Sequence, residues 1–154
     1  MIWLLLCQVY NRPTLADFVG CKLALTQGDM ILTYLRDDFA HIPCPNMWDL
    51  PGGGREGEET PEACVLRELE EEFGLVFGPD RLLWRRELPS MMDAGRASWF
   101  FAGRIAVEEI AAITFGNEGQ YWKMMPVAEF LAHPGAVPEL QVRTRLALGE
   151  LGWI

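Results

Sequence analysis

Gly53-Gly54-Arg55-Glu56-Gly57-Glu58-Glu59-Thr60-Pro61-Glu62-Ala63-Cys64-Val65-Leu66-Arg67-Glu68-Leu69-Glu70-Glu71-Glu72-Phe73-Gly74-Leu75 decides the reading of this chain. It runs from a glycine turn into a strongly acidic helix. Thr60 is a good N-cap, Pro61 suits the first helical position, and Gly74 can take the left-handed conformation that ends a helix, so the spacing predicts a helix over Pro61 to Phe73. At about 100° per residue, Glu68, Glu71 and Glu72 fall on one arc, and Val65, Leu66, Leu69 and Phe73 on a neighbouring arc. One face packs and the other is free to bind.

Crowded carboxylates repel each other unless cations sit between them, and oxygen ligands of this kind suit a hard divalent ion such as Mg²⁺, with Mn²⁺ as an alternative. Most charge runs are solvated helix faces, which accounts for Glu62 and Glu70. That reading leaves unexplained the turn Trp48-Asp49-Leu50-Pro51-Gly52-Gly53 ahead of the helix, where consecutive glycines allow close approach of backbone to a ligand. Arg67 lies one turn before Glu71 and is placed to hold that carboxylate's rotamer.

Outward from this stretch, Phe18 to Thr26 and Met30 to Leu35 read as strands joined by the turn Gln27-Gly28-Asp29. Arg81 to Leu88 and Arg96 to Ile105 read as two more strands around the polar turn Pro89 to Gly95. A short helical turn over Val107 to Ala112, a strand over Gln120 to Met124, a helix over Pro126 to Ala132 and a closing helix over Pro138 to Leu151 complete the pattern. Strands around a central helix, with more helices at the C-terminus, predict an α/β fold with a mixed sheet covered on two sides. The length of 154 residues predicts one domain, residues 1–154.

The formal net charge of −9 argues against broad affinity for a nucleic acid polymer or an anionic membrane. It leaves room for a small nucleotide, because a divalent ion and a few arginines can neutralise phosphates locally. Cys7, Cys21, Cys44 and Cys64 have neither zinc-like spacing nor a disulfide framework, and are expected reduced. Ile2 to Cys7 is apolar but too short to span a bilayer and lacks a basic leader, so a cytoplasmic protein is expected. That segment is equally compatible with an added strand, an arm folded inward or a homodimer contact.

The fixed positions Gly53, Glu59, Arg67, Glu68, Leu69, Glu71, Glu72, Gly74 and Leu75 match the signature of the Nudix family, which this chain resembles from about Val19 to Met125. Within the family it looks most similar to MutT-like nucleoside triphosphate pyrophosphohydrolases, because Asn117-Glu118-Gly119-Gln120 followed by Trp122 resembles their Lys-Glu-Gly-Gln segment and nearby Trp. The resemblance implies an α/β/α sandwich with a loop-helix-loop motif (residues 53–75). It also implies Mg²⁺-dependent hydrolysis of a diphosphate linkage in a nucleoside diphosphate derivative.

It further implies metal ligation by Glu68, Glu71, Glu72, Glu118 and the Gly52 carbonyl. Glu68, Glu71, Glu72 and Glu118 are the candidate catalytic carboxylates, with Arg67 as an orienting residue, and Glu59 either orients the loop or supports the metal ligands from behind. Arg36, at a strand end, and Gly53 are the candidate substrate contacts. Trp48 and Trp99 read as core, and Met91-Met92 as loop packing. Gly135 to Glu139 lacks the Asn with which MutT-like enzymes contact oxidised guanine, which weakens a guanine-specific assignment. Hydrolysis of dinucleotides, nucleotide sugars or capped RNA ends, and a non-catalytic nucleotide sensor, remain as alternatives.

Overall fold

The computed structural model describes residues 17–154. The expectations placed on Ile2 to Cys7 lie outside these residues. Strands β1 (Phe18–Gln27) and β2 (Met30–Leu35) form the hairpin expected from Gly28, whose φ is 57°. Next come β3 (Trp48–Asp49), β4 (Gly52–Gly54), helix α1 (Pro61–Phe73), β5 (Trp84–Pro89) and β6 (Ala97–Arg104). Helix α2 (Val107–Ala111), β7 (Tyr121–Pro126), α3 (Val127–Ala132) and α4 (Pro138–Glu150) follow.

The seven strands form one sheet in the order β3-β2-β1-β6-β5, with β4 also on β1 and β7 also on β2. The sheet is mixed, because β1 and β6 run parallel while the other pairs are antiparallel. Neighbouring residues on a strand point to opposite faces, and each face has its own core. Leu23, Leu25 and Phe101 pack with Val65, Leu69 and Phe73 of α1 on one side. Ala24, Phe100 and Ala102 pack with Phe130 of α3 and Leu140, Ala147 and Leu148 of α4 on the other. Helices on both faces give the mixed sheet covered on two sides that the patterning predicts, and make the α/β/α sandwich that the family resemblance implies.

Helix α1 has the ends that its sequence predicts. Thr60 Oγ1 accepts from the Ala63 N–H at 3.2 Å, and Gly74, at φ 67°, donates its N–H to the Glu70 carbonyl at 2.9 Å. Two departures matter for the site. The stretch Trp48 to Gly54 is not merely a turn, since it supplies β3 and β4, and Gly52–Gly54 pairs with Gly20–Lys22 of β1. Residues Pro79–Arg81 form a 3₁₀ turn, so the next strand starts at Trp84 instead of Arg81.

Candidate active site

The pairing of β4 with β1 lays the glycine turn against α1 from its middle to its C-terminal end, where Arg67, Glu68 and Glu72 stand. Gly52 has φ 133°, and a Cβ there would fall 2.2 Å from the Cys21 carbonyl oxygen, so no side chain is tolerated. Its N–H donates to Glu72 Oε1 at 2.8 Å. At Gly53 a Cβ would fall 2.6 Å from the Glu68 carboxylate, which therefore rests flat on the turn. Beside them opens a cavity of about 770 Å³ whose lining includes Gly52, Gly53, Glu68, Glu72, Arg36 and Glu118.

Arg67 ties the acidic cluster together. Its guanidinium donates to Glu59 at 2.7 and 3.0 Å, to the Gly54 carbonyl at 2.9 Å, and to Glu68 and Glu71 at 3.1 Å each. The hydrogen bond from Arg67 holds the Glu59 carboxyl down to about 2. Glu59 also accepts from the Glu56 N–H at 2.7 Å, so it shapes the loop and anchors the arginine together.

Glu68, Glu71 and Glu72 occupy different surroundings. Glu72 is 7% exposed, and burial raises its carboxyl to about 8. Burial also raises Glu68. Glu71 is exposed, bound to Arg67, and outside the cavity lining. Glu118 is exposed on a loop that is pinned at both ends. Thr114 and Gly116 N–H groups cap the Phe73 and Glu72 carbonyls at 3.0 and 2.8 Å. Gln120 donates to the Arg36 carbonyl at 2.9 Å, and Gly119 N–H to Asp37 at 3.0 Å. The late loop thus bridges the end of α1 and the end of β2, which brings Glu118 to the cavity.

Asp49, which the sequence reading passes over, is the most heavily partnered acid here. It is 2% exposed, and its Oδ2 accepts from Lys22 Nζ at 2.9 Å, Tyr34 OH at 3.0 Å and Arg36 Nη1 at 2.8 Å. Burial alone would raise its carboxyl, yet Lys22 and Arg36 outweigh that and hold it below the usual range. Arg36 also donates to the Pro43 carbonyl at 2.9 Å, which leaves part of its five-donor fork unused on the cavity wall. The signal for Asp49 was a lone acid between Trp48 and Leu50, and for Lys22 a lone cation inside an apolar strand.

Two aromatic expectations divide. Trp48 is buried at 7% exposure, as read from the sequence. Trp99 packs against the core, stacked on Phe101 at 6.2 Å, but is only half-buried and also lines the cavity, and its indole Nε1 has no hydrogen-bond partner among the described residues. Met91 and Met92 are exposed on the cavity rim and are not packed under the loop.

Among the described residues no group of three or more His, Cys, Asp or Glu side chains is gathered closely enough to hold an ion by itself. The donor chemistry nevertheless fits a hard divalent ion. Glu68 lies in a cradle that a Cβ would fill, Glu72 abuts the same turn, and the Lys22 ammonium already sits 3.2 Å from the Gly52 carbonyl oxygen.

A mixed-sheet sandwich with a glycine turn pressed against the glutamates of α1 is the arrangement that the resemblance to phosphoanhydride hydrolases implies. The model of the NUDIX domain matches residues 19–146, and the chain belongs to the Nudix family, whose members generally use divalent metal ions. It is 41% identical to an RNA pyrophosphohydrolase of Zymomonas mobilis, over 84% of this chain and 92% of the relative. Its fold is similar to that of a MutT protein from Methanosarcina mazei, with TM-score 0.63 and 15% identity over 82% of this chain and 89% of that one. A bifunctional NMN adenylyltransferase/ADP ribose pyrophosphatase of Francisella tularensis, complexed with AMP and a Mn ion, gives TM-score 0.67 and 20% identity. That match covers 96% of this chain and 45% of the larger protein.

Proposed function

We propose that this Nudix hydrolase cleaves a phosphoanhydride of a nucleoside 5′-polyphosphate, with the polyphosphate lying over the Gly52–Gly54 turn. The observation that carries this reading is the seating of the Glu68 carboxylate on Gly53, with Glu72 bonded to the Gly52 N–H, at the wall of one cavity. Glu68, Glu71, Glu72, Glu118 and the Gly52 carbonyl are the groups that would hold Mg²⁺, or Mn²⁺ in its place. When bound, the ion supplies neutralisation of phosphate charge and a lowered pKa for water.

The chain's own residues do the rest. Arg36 presents its unused donors to the phosphates, and the Gly53 backbone lets them approach closely. Water attacks one phosphorus, the bridging oxygen leaves with the electron pair, and one of Glu68, Glu71, Glu72 or Glu118 takes the proton. Arg67 keeps Glu68 and Glu71 in place throughout. Among the described residues no helix is long and apolar enough to cross a membrane, and Cys21, Cys44 and Cys64 are free thiols. Free thiols suit a reducing compartment, and we propose one domain acting on a small nucleotide in the cytoplasm.

A second reading, hydrolysis at the 5′ end of RNA, is supported by identity of 41% and 35% with two RNA pyrophosphohydrolases. The net charge of −9 runs against a long polymer path and favours contact with the end alone. The test is a panel of nucleoside triphosphates, dinucleoside polyphosphates, nucleotide sugars and a 5′-triphosphorylated oligoribonucleotide, assayed with Mg²⁺ in ¹⁸O-water to identify the bond broken. Turnover that Glu72→Gln abolishes is expected for at least one class. No turnover of any class would leave the non-catalytic sensor as the better account.

A further inference from the structure

Among the described residues Arg143 is a buried cation with no counter-ion. It stands in the middle of α4 at 6% exposure, donating from Nη1 to Ser98 Oγ at 2.9 Å and from Nη2 to the Pro89 carbonyl. Both acceptors are neutral, and among the described residues no carboxylate forms an ion pair with it. Desolvation dominates its surroundings and lowers its proton affinity below that of an ordinary arginine, while Glu139, one turn earlier, acts on it only through space. A guanidinium has five N–H donors, and the described residues engage two of them.

Pinning the β5–β6 hairpin to α4 would explain the two hydrogen bonds but not the charge. Neutral acceptors need only a neutral donor, whereas burying an unpaired cation is costly. The position resolves this. Arg143 lines the same cavity as Gly52, Gly53 and Glu72, and the apolar Trp99, Val137 and Leu140 are part of that lining too. Apolar walls weaken screening, so an anion arriving there is held strongly.

We propose that Arg143 forms a subsite for a second phosphate of the substrate, separate from the linkage that is cleaved. The preferred substrates are then nucleoside polyphosphates that carry a further phosphate, either on the ribose or as a phosphodiester to a next nucleotide. This rests on the nucleotide reading above and extends it to substrate choice.

The test measures equilibrium binding, in the presence of Mg²⁺, of adenosine 5′-monophosphate, adenosine 3′,5′-bisphosphate and the dinucleotide pApA to the full chain. At least one of the two ligands with the additional phosphate should bind about tenfold more tightly than the monophosphate, and which one does so identifies the source of the phosphate. The advantage should vanish in Arg143→Met and survive in part in Arg143→Lys. Equal affinities in the wild type overturn the proposal, even if no variant folds. So does an advantage that persists in an Arg143→Met protein with a wild-type melting curve. A preference for guanosine over adenosine monophosphate that Arg143→Met removes, with no second-phosphate advantage, overturns it in favour of base recognition. Because binding is read without turnover, a protein that binds as expected but cleaves nothing refutes the hydrolytic reading and leaves this subsite standing.

Discussion

The carboxylate of Glu68 rests on the backbone of Gly53 so closely that a Cβ there would fall 2.6 Å from it. One methyl group would therefore push the acid out of the cavity wall. Gly53→Ala is expected to lower turnover about a hundredfold, the order of loss that follows a misplacement near 1 Å. Gly54 is the internal control, since a Cβ there meets nothing within 4 Å. Steady-state kinetics on the two alanine variants check this, and equal losses in both would show that the Glu68–Gly53 contact is not what matters.

Glu72 makes the metal-free protein sensitive to pH. Its folded carboxyl is raised to about 8 from an ordinary 4.5. Between those values the unfolded chain has released the proton and the folded chain still holds it. Stability therefore falls as pH rises through that window, is unaffected by this group below it, and levels off above it. At about 1.4 kcal/mol per unit, the effect is on the order of a few kcal/mol. Thermal melts with chelator from roughly pH 5 to 8 should show Glu72→Gln flatter than wild type, with added Mg²⁺ narrowing the gap. Parallel pH curves for the two proteins would contradict the raised carboxyl.

Helix α1 is legible residue by residue because Thr60, Pro61 and Gly74 mark its ends with local chemistry. Strands β3 and β4 are not, because two or three residues carry no periodicity and their partners lie far away in the chain, as in Gly52 opposite Lys22. The site divides the same way. Spacing on one helix places Glu68, Glu71 and Glu72 on one arc, yet it cannot show that Arg67 draws Glu71 outward while Glu72 sinks against Gly52. Asp49 and Arg143 were invisible because a buried charge makes sense only once its partners, or their absence, are known in space.

Arg67 holds Glu59, Glu68, Glu71 and the Gly54 carbonyl with one planar fork. Lysine cannot reproduce that geometry. Arg67→Lys is expected to lose most of the activity and about 1–3 kcal/mol of stability, as befits loss of charge-assisted hydrogen bonds in a partly buried network. Glu59→Gln, which keeps an acceptor toward both Arg67 and the Glu56 N–H, should be milder in turnover. Denaturant midpoints and kcat for the two variants decide it, and full activity in Arg67→Lys would reduce the arginine to a simple counter-charge.

Glu118 reaches the cavity from a loop pinned to both α1 and β2. Being exposed, it contributes little to stability, so its substitution separates chemistry from folding. Glu118→Gln is expected to lower kcat about tenfold or more with KM changed much less, the pattern for a contact that strengthens in the transition state. An unchanged kcat would make Glu118 an ordinary surface residue.

Asp49 gathers Lys22, Arg36 and Tyr34 onto one buried oxygen, so its removal strands two partly buried cations. Removing one partner of a buried pair costs about 3–5 kcal/mol, and Asp49→Asn is expected near the lower end because the amide still accepts a hydrogen bond. The acid side of the stability profile should change as well. The folded carboxyl lies below its ordinary 3.8, so its contribution is complete above that value and lost as pH falls through the lowered one. Asp49→Asn should therefore unfold with less acid dependence than wild type. Arg36→Met removes one of the two cations and keeps the acid paired with Lys22, so it should raise KM while leaving most of the stability. If Arg36→Met is as unstable as Asp49→Asn and binds substrate normally, the cluster serves the fold alone and the phosphates are held elsewhere.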